Sequence, residues 1–339
     1  MQRWRGLEAV PPGWGRCVVA VGVFDGVHRG HRQLIARAVQ EARQRGLPAV
    51  VVTFDPHPAE LVRPGTHPAR LSTLDRRAEL VAEIGADVFC VIPFTEQLSR
   101  MAPAGFAHEV LVDKLHAAVV VVGRNFTFGH KAAGDVTTLA ELGRRFGFVC
   151  EALDLITERS AGAASIDTAD EVTFSSTYIR SCIDAGAVRD AAHALGRWHR
   201  VDGVVVHGHK RGHDLGFPTA NVACPPHTAI PADGVYAGWF GIGGRRLMAA
   251  VSVGTNPTFS GRVRTVEAYV LDVDENFYGH EVEVEFVARL RGQERYDGIE
   301  PLIAQMNLDV ENAREILTAA GAATGPDDAT AGPGPVGTG

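Results

Sequence analysis

CVVAVGVFDGVHRGH, residues 17–31, decides how the first half of the chain is read. It opens as a short, unbroken run of mostly β-branched residues, the pattern of a strand buried on both faces. Gly22, Gly26 and Gly30 then break the run, allowing tight turns and close approach of backbone to a ligand. Beyond Gly30 the spacing becomes helical, with Leu34, Ile35, Ala38 and Ala42 on one stripe. The alternation repeats outward: AVVVTF (49–54), DVFCVIPF (87–94), AAVVVVG (117–123) and FVCEALDLI (148–156) are brief apolar runs with amphipathic segments between them. Apolar strands separated by helices imply a parallel, Rossmann-like α/β sheet covered on both faces. Ligands of such sheets sit beyond the carboxyl ends of the strands.

FSSTYIRSCIDAG (174–186) reads as a loop entering a helix, with Ser175 or Ser176 as N-cap, and VRDAAHALG (188–196) as a second short helix. From Arg200 to Leu290 the period changes to two, in RVDGVVVHG, GVYAGWFGI, LMAAVSVG, TVEAYVLD and EVEVEFVARL. No helix intervenes, so this is an antiparallel β unit, expected to close as a small barrel. GIEPLIAQMNLDVENAREILTAAG (298–321) supplies a C-terminal helix to pack on it. The expected division is an α/β domain over 1–186, a linker over 187–199, a barrel over 200–322 and a disordered Gly/Pro/Ala-rich tail over 323–339. ERSAGAASIDTADE, near Arg159, reads as a flexible insertion.

Composition narrows the class without choosing it. The 339 residues exceed what one core usually covers. With 45% apolar and 22% charged residues the chain is an ordinary globular one. It has no run of about 20 apolar residues and no secretory leader, so a cytoplasmic protein with no membrane role is expected. The five scattered cysteines suggest neither a disulfide framework nor a CxxC motif. A net charge of −7 argues against a nucleic-acid partner, while a homo-oligomer remains open.

His28 and His31 lie three apart at the start of the first helix, so both imidazoles can project from one face. A helix N-terminus attracts anions, and two imidazole donors there suit triphosphate oxygens and charge developing on pyrophosphate. An HxxH pair alone is equally a helix cap with two surface histidines. A zinc site is disfavoured, because the glutamate of HExxH is missing.

GVFDGVHRGH, with TFDPHP (53–58), GRNFTFGHKAAG (123–134) and SSTYIR (175–180) in that order, resembles the nucleotidyltransferase domain of prokaryotic FAD synthetases. The resemblance implies that Gly22, Phe24, Asp25, Gly26, His28, His31, Ser176, Thr177 and Arg180 handle ATP, with the two histidines catalytic. It places Phe54, Pro56, His57, Pro58, Asn125 and Phe128 on the FMN side, Asn125 standing where many relatives carry Asp. Each has a plainer reading: Pro56 and Pro58 stiffen a loop, Phe126 and Phe128 fill the core, and Arg180 is a solvated helix residue.

In RGHDLGFPTAN (211–221), Pro218 fixes the backbone before Thr219, and Thr219 and Asn221 share one face of extended chain. Hydroxyl and amide oxygens are hard ligands suited to Mg²⁺. GxxxxGK[ST] is absent, so a kinase here is not of the P-loop type. In TVEAYVLD (265–272) Glu267 shares a face with Tyr269 and Leu271. A carboxylate flanked by bulky neighbours on a strand could serve as general base, the alternative being a solvent-facing edge glutamate. GFPTAN, IPADGVYAG, VSVGTNPTF and VEAYVLD resemble, in order, the riboflavin kinase module. By that resemblance Gly216, Pro218, Thr219 and Asn221 bind ATP and Mg²⁺, the last pair of side chains holding the metal. Asn256, Thr258 and Glu267 meet the flavin, and Glu267 activates the riboflavin 5′-hydroxyl.

The combined resemblance spans residues of about 15 to 320 and implies two reactions: riboflavin plus ATP giving FMN and ADP, then FMN plus ATP giving FAD and diphosphate. The alternatives are one active domain with the other regulatory, or a flavin or nucleic-acid sensor using the barrel as an OB-fold. Two features depart from the family pattern: the basic loop HGHKRGHDLG (207–216) and the insertion near 160–170. Trp239 and Phe259 are aromatic candidates for closing over flavin.

Overall fold

Strands β1 (Gln2–Arg5), β2 (Cys17–Val21), β3 (Ala49–Asp55), β4 (Val88–Pro93), β5 (Ala117–Gly123) and β6 (Val149–Leu153) pair in parallel in the order β1–β4–β3–β2–β5–β6. The computed structural model describes residues 1–154, 156–159, 171–207, 217–258 and 261–322. The unbroken apolar runs follow from burial on both faces. Val19 and Val21 of β2 join one apolar cluster, while Val18 and Ala20 join the other. Helix Arg29–Arg45 buries Leu34, Ile35, Ala38, Val39 and Ala42, and ends at Gly46 in the left-handed conformation, φ 65°. β1 escapes the sequence reading because QRWR offers only one buried apolar side chain, Trp4.

The order of the strands locates the crevice. From β2 the chain steps outward through β3 and β4, then crosses to the other side of β2 for β5 and β6. The reversal lies between β2 and β5, whose carboxyl ends run into Gly22–His28 and Arg124–Gly134.

The second half closes into an antiparallel barrel, β10 (Thr219–Ala223), β13 (Gly261–Val270), β12 (Arg245–Thr258), β11 (Gly234–Ile242), β14 (Glu281–Arg291) and β9 (His199–Val206) in ring order. Five of these strands match the period-two runs. The sixth, β10, is the TAN segment itself with two more residues, too short and polar to announce a strand. Inside lie Val205, Val222, Tyr236, Phe240, Val251, Val266, Ala268 and Phe286, all buried. Helix Ile299–Ala322 packs outside through Ala313, Leu317 and Ala320 against Trp239 and Val287. Phe240 is fully buried, so Phe240→Ala should lower barrel stability by roughly 3–5 kcal/mol, read as an earlier denaturation midpoint.

Contacts divide the chain into one unit of Met1–Pro68 with Thr73–Ser175, and a second of Ala69–Ser72 with Ser176–Gly339. Helix Ser176–Ala185 groups with the barrel, and the supposed linker carries helix Val188–Leu195, which buries Val188, Ala191, Ala192, Ala194 and Leu195. Ala69–Ser72 joins the second unit through backbone bonds from Arg70 to His227 (2.7 Å) and from Ala229 to Arg70 (2.8 Å). β7 (Thr157–Arg159) and β8 (Glu171–Thr173) pair antiparallel at the edges of the insertion. The insertion at 160–170 and the tail at 323–339 lie outside the described residues.

Candidate active sites

In the first unit the loop after β2 is under backbone strain. Phe24 (φ 51°) and Val27 (φ 38°) adopt positive φ, each at a cost on the order of 1–3 kcal/mol. Gly22 makes room, because a Cβ there would sit 2.9 Å from the Phe24 ring. His28 caps the helix: its Nδ1 accepts from the His31 backbone N–H at 3.4 Å, so in the neutral ring Nε2 is the donor. The imidazoles of His28 and His31 stack at 3.6 Å, and Phe24 stands edge-on to His31 at 5.2 Å. The spacing of HxxH therefore does bring both rings together at a helix N-terminus beside the crevice.

Other residues assigned to ATP or FMN fall in varied places. Asp25 is 2% exposed and forms an ion pair with Arg77 at 3.3 Å. Arg77 also donates to the Val23 carbonyl (3.0 Å) and to Thr53 Oγ1 (3.3 Å). His57 caps helix Pro58–Val62, its Nδ1 accepting from Ala59 N–H at 3.0 Å while Glu60 reaches back to the His57 N–H. Phe54 is buried and edge-on to Phe94. Asn125 is exposed at the carboxyl end of β5. Phe128 is buried in the core, stacked on Phe126 at 5.5 Å. Ser176, Thr177 and Arg180 stand on helix Ser176–Ala185 of the second unit, where Arg180 Nε donates to the Ala69 carbonyl at 2.6 Å.

In the barrel, register does what spacing could not. Asn221 pairs directly with Glu267, and Thr219 with Tyr269, across β10 and β13, while Ser252 of β12 faces Glu267 from the other side. Val266, Ala268 and Val270 point inward, which leaves Glu267 on the outer face with Tyr269. Thr219 Oγ1 donates to Glu267 Oε2 at 3.5 Å.

Thr219 lines two cavities. One, about 260 Å³, lies against helix Ile299–Ala322 and combines Glu267 and Ser252 with Phe217, Val235, Tyr269, Leu302, Met306 and Val310. The other, about 370 Å³, is lined by Pro218, Asn221, Val205 and the Val273–Tyr278 segment. Gly216 and the rest of the basic loop beyond His207 lie outside the described residues, as does Phe259. Asn256 and Thr258 extend the β12–β13 ladder, opposite Val263 and Gly261. Trp239 lines neither cavity; it packs beneath the C-terminal helix with Arg246 over its ring at 4.3 Å.

Several residues of these sites carry no motif. Arg77 is one. Arg291 and Asp309 are others, joined by bonds of 3.0 and 2.7 Å where the helix wall meets the first cavity, with Gln305 also donating to Asp309. Asp309 is 4% exposed. Asp309→Ala should destabilise the barrel unit by about 3 kcal/mol, the lower end for a broken buried pair since Arg291 keeps some water, as measured by chemical denaturation.

Among the described residues no cluster of His, Cys, Asp and Glu could hold a metal by itself, and no helix is long and apolar enough to cross a membrane. A model of FAD synthetase matches residues 11–166, and one of riboflavin kinase matches residues 195–317. Bifunctional riboflavin kinase/FMN adenylyltransferases are similar over most of their length. That of Listeria monocytogenes is 36% identical, covering 88% of this chain and 91% of its own; that of Pseudomonas fluorescens is 34% identical, covering 93% and 98%. The enzyme of Escherichia coli K12 is 33% identical, covering 89% and 93%. A crystal structure described as a macrolide-efflux protein from Streptococcus pneumoniae superposes with a TM-score of 0.80 at 28% identity, covering 93% of this chain and 99% of that one. With one model matched in each half, and relatives above 30% identity across nearly the full length, the chain belongs to the bifunctional riboflavin kinase/FMN adenylyltransferase family.

Proposed function

We propose that this one chain makes FMN from riboflavin and ATP in its barrel, and FAD from FMN and ATP in its α/β domain. The observation that carries the kinase half is Thr219 standing between two cavities, with Glu267 in one and Asn221 in the other. The apolar, aromatic cavity beside Glu267 suits a flavin ring, and the one beside Asn221 suits the nucleotide. The Glu267 carboxylate accepts the proton of the riboflavin 5′-hydroxyl as that oxygen attacks the γ-phosphorus, and ADP departs.

Thr219 and Asn221 offer a hydroxyl and an amide oxygen, with no cluster of carboxylates among the described residues, a donor set that fits Mg²⁺ held mainly by phosphate oxygens and water. Bound there, Mg²⁺ offsets the charge of the phosphates. In the α/β domain an FMN phosphate oxygen attacks the α-phosphorus of ATP and pyrophosphate leaves. His28 and His31 are read as the donors that hold the leaving oxygens, supported by their stacking at a helix N-terminus. Ser176, Thr177, Arg180 and Asn125 are assigned to ATP and FMN by motif. The substrates are soluble small molecules, which favours a cytoplasmic location.

The test is chromatographic: purified protein with riboflavin, ATP and Mg²⁺, flavins resolved over time. FMN should appear first and FAD after it. FMN without FAD would restrict activity to the barrel. Riboflavin unchanged with no ATP consumed would replace the enzyme by a flavin-binding protein.

A further inference from the structure

Arg77 belongs to no motif, yet it helps join the histidine loop to the neighbouring strand. It projects from helix Leu74–Ile84 with its side chain 7% exposed. One guanidinium nitrogen pairs with Asp25; another donates to the Val23 carbonyl and to Thr53 Oγ1, and Thr53 donates to the same carbonyl at 2.8 Å. Val23 and Asp25 flank Phe24. Both neighbours of a residue held at φ 51° are thereby fixed by buried polar contacts. Strained backbone persists only where its surroundings over-determine it, and such strain collects at functional sites.

We propose that Arg77 is a positioning residue for adenylyl transfer, setting His31 and His28 through Phe24 rather than by touching substrate. The proposal rests on reading the histidine loop as the adenylyl site. The path is short: Arg77 to Val23 and Asp25, Phe24 between them, its ring edge-on to His31, and His31 stacked on His28. Gly22 gives the Phe24 ring its seat, and no larger residue could do so without moving it. Asp25 then serves as the anion that keeps the buried guanidinium in place, although its motif suggests a nucleotide contact.

The experiment uses the full-length protein with supplied FMN, ATP and Mg²⁺, comparing Arg77→Lys, Arg77→Met and the charge-neutral double variant Asp25→Asn with Arg77→Met. Misplacing catalytic groups by about 1 Å costs ~10²-fold. Arg77→Met should therefore lower kcat for FAD formation about a hundredfold with KM for ATP little changed, and Arg77→Lys should recover most of it. The double variant, which buries no lone charge, should regain the wild-type melting temperature and not the wild-type kcat. Riboflavin phosphorylation should stay at the wild-type level throughout. Should Arg77→Met fail to fold, the double variant decides by comparison with Asp25→Asn alone, which reports what Asp25 itself contributes to nucleotide binding. Recovery of kcat together with melting temperature would reduce Arg77 to a purely structural role and overturn the proposal. So would a rise in KM for ATP at unchanged kcat, which would mean direct contact with nucleotide. Absence of FAD formation by the wild-type chain would defeat the reading of the site instead.

Discussion

His31→Ala is expected to stop FAD formation while FMN continues to accumulate from riboflavin. The loss should be at least ~10²–10³-fold in kcat, the usual effect of removing one donor to developing charge. His31 is the cleaner probe of the pair. The His28 ring caps the helix by accepting the backbone N–H of His31, its third residue, so His28→Ala also loses a cap worth about 1 kcal/mol. His31 belongs to the first unit and Glu267 to the second, which is why the two activities should separate. The measurement is flavin chromatography on variant and wild type, with circular dichroism as a check on folding. Loss of both activities in a folded variant, or retention of full FAD synthesis, would contradict the assignment.

Arg77 shows where the sequence stops informing. Its partners Asp25 and Thr53 lie 52 and 24 residues away, and no periodicity or spacing links them. Arginine on an amphipathic helix is ordinarily solvated, so nothing local marks this one as buried. By contrast, the parallel sheet was legible because strands covered on both faces read as continuous apolar runs. The barrel was legible because one face of each strand is buried and the other is not. The missing strand β10 is the exception, a five-residue segment whose pairing with β13 joins residues as far apart as Thr219 and Tyr269. At Phe128 a motif and packing coincide: the motif assigns it to the flavin side, and its ring packs against Phe106 and Phe126. Motifs name residues that chemistry requires; they are silent on the side chains that hold those residues still.

Glu267→Ala should slow riboflavin phosphorylation by ~10²–10⁴, the range for loss of a general base, and leave FAD formation from supplied FMN intact. The structure makes this more specific than the motif did. Glu267 faces Asn221 across the β10–β13 ladder and accepts from Thr219, so removing its carboxylate also frees the Thr219 hydroxyl. Glu267→Gln separates the two effects: the amide oxygen can still accept from Thr219 but cannot take a proton. If proton removal is what matters, Gln should be nearly as slow as Ala, with KM for ATP close to wild type. If Glu267 chiefly orients Thr219, Gln should restore most of the rate, and the general-base assignment would fall. A third outcome, KM for riboflavin raised with kcat unchanged, would place Glu267 among the groups that only bind the flavin. Because the β10–β13 pairing continues on both sides of Glu267, through Ala220 with Ala268 and Val222 with Val266, the ladder should survive either substitution. The kinetic difference between Gln and Ala therefore reports on the carboxylate and not on the barrel.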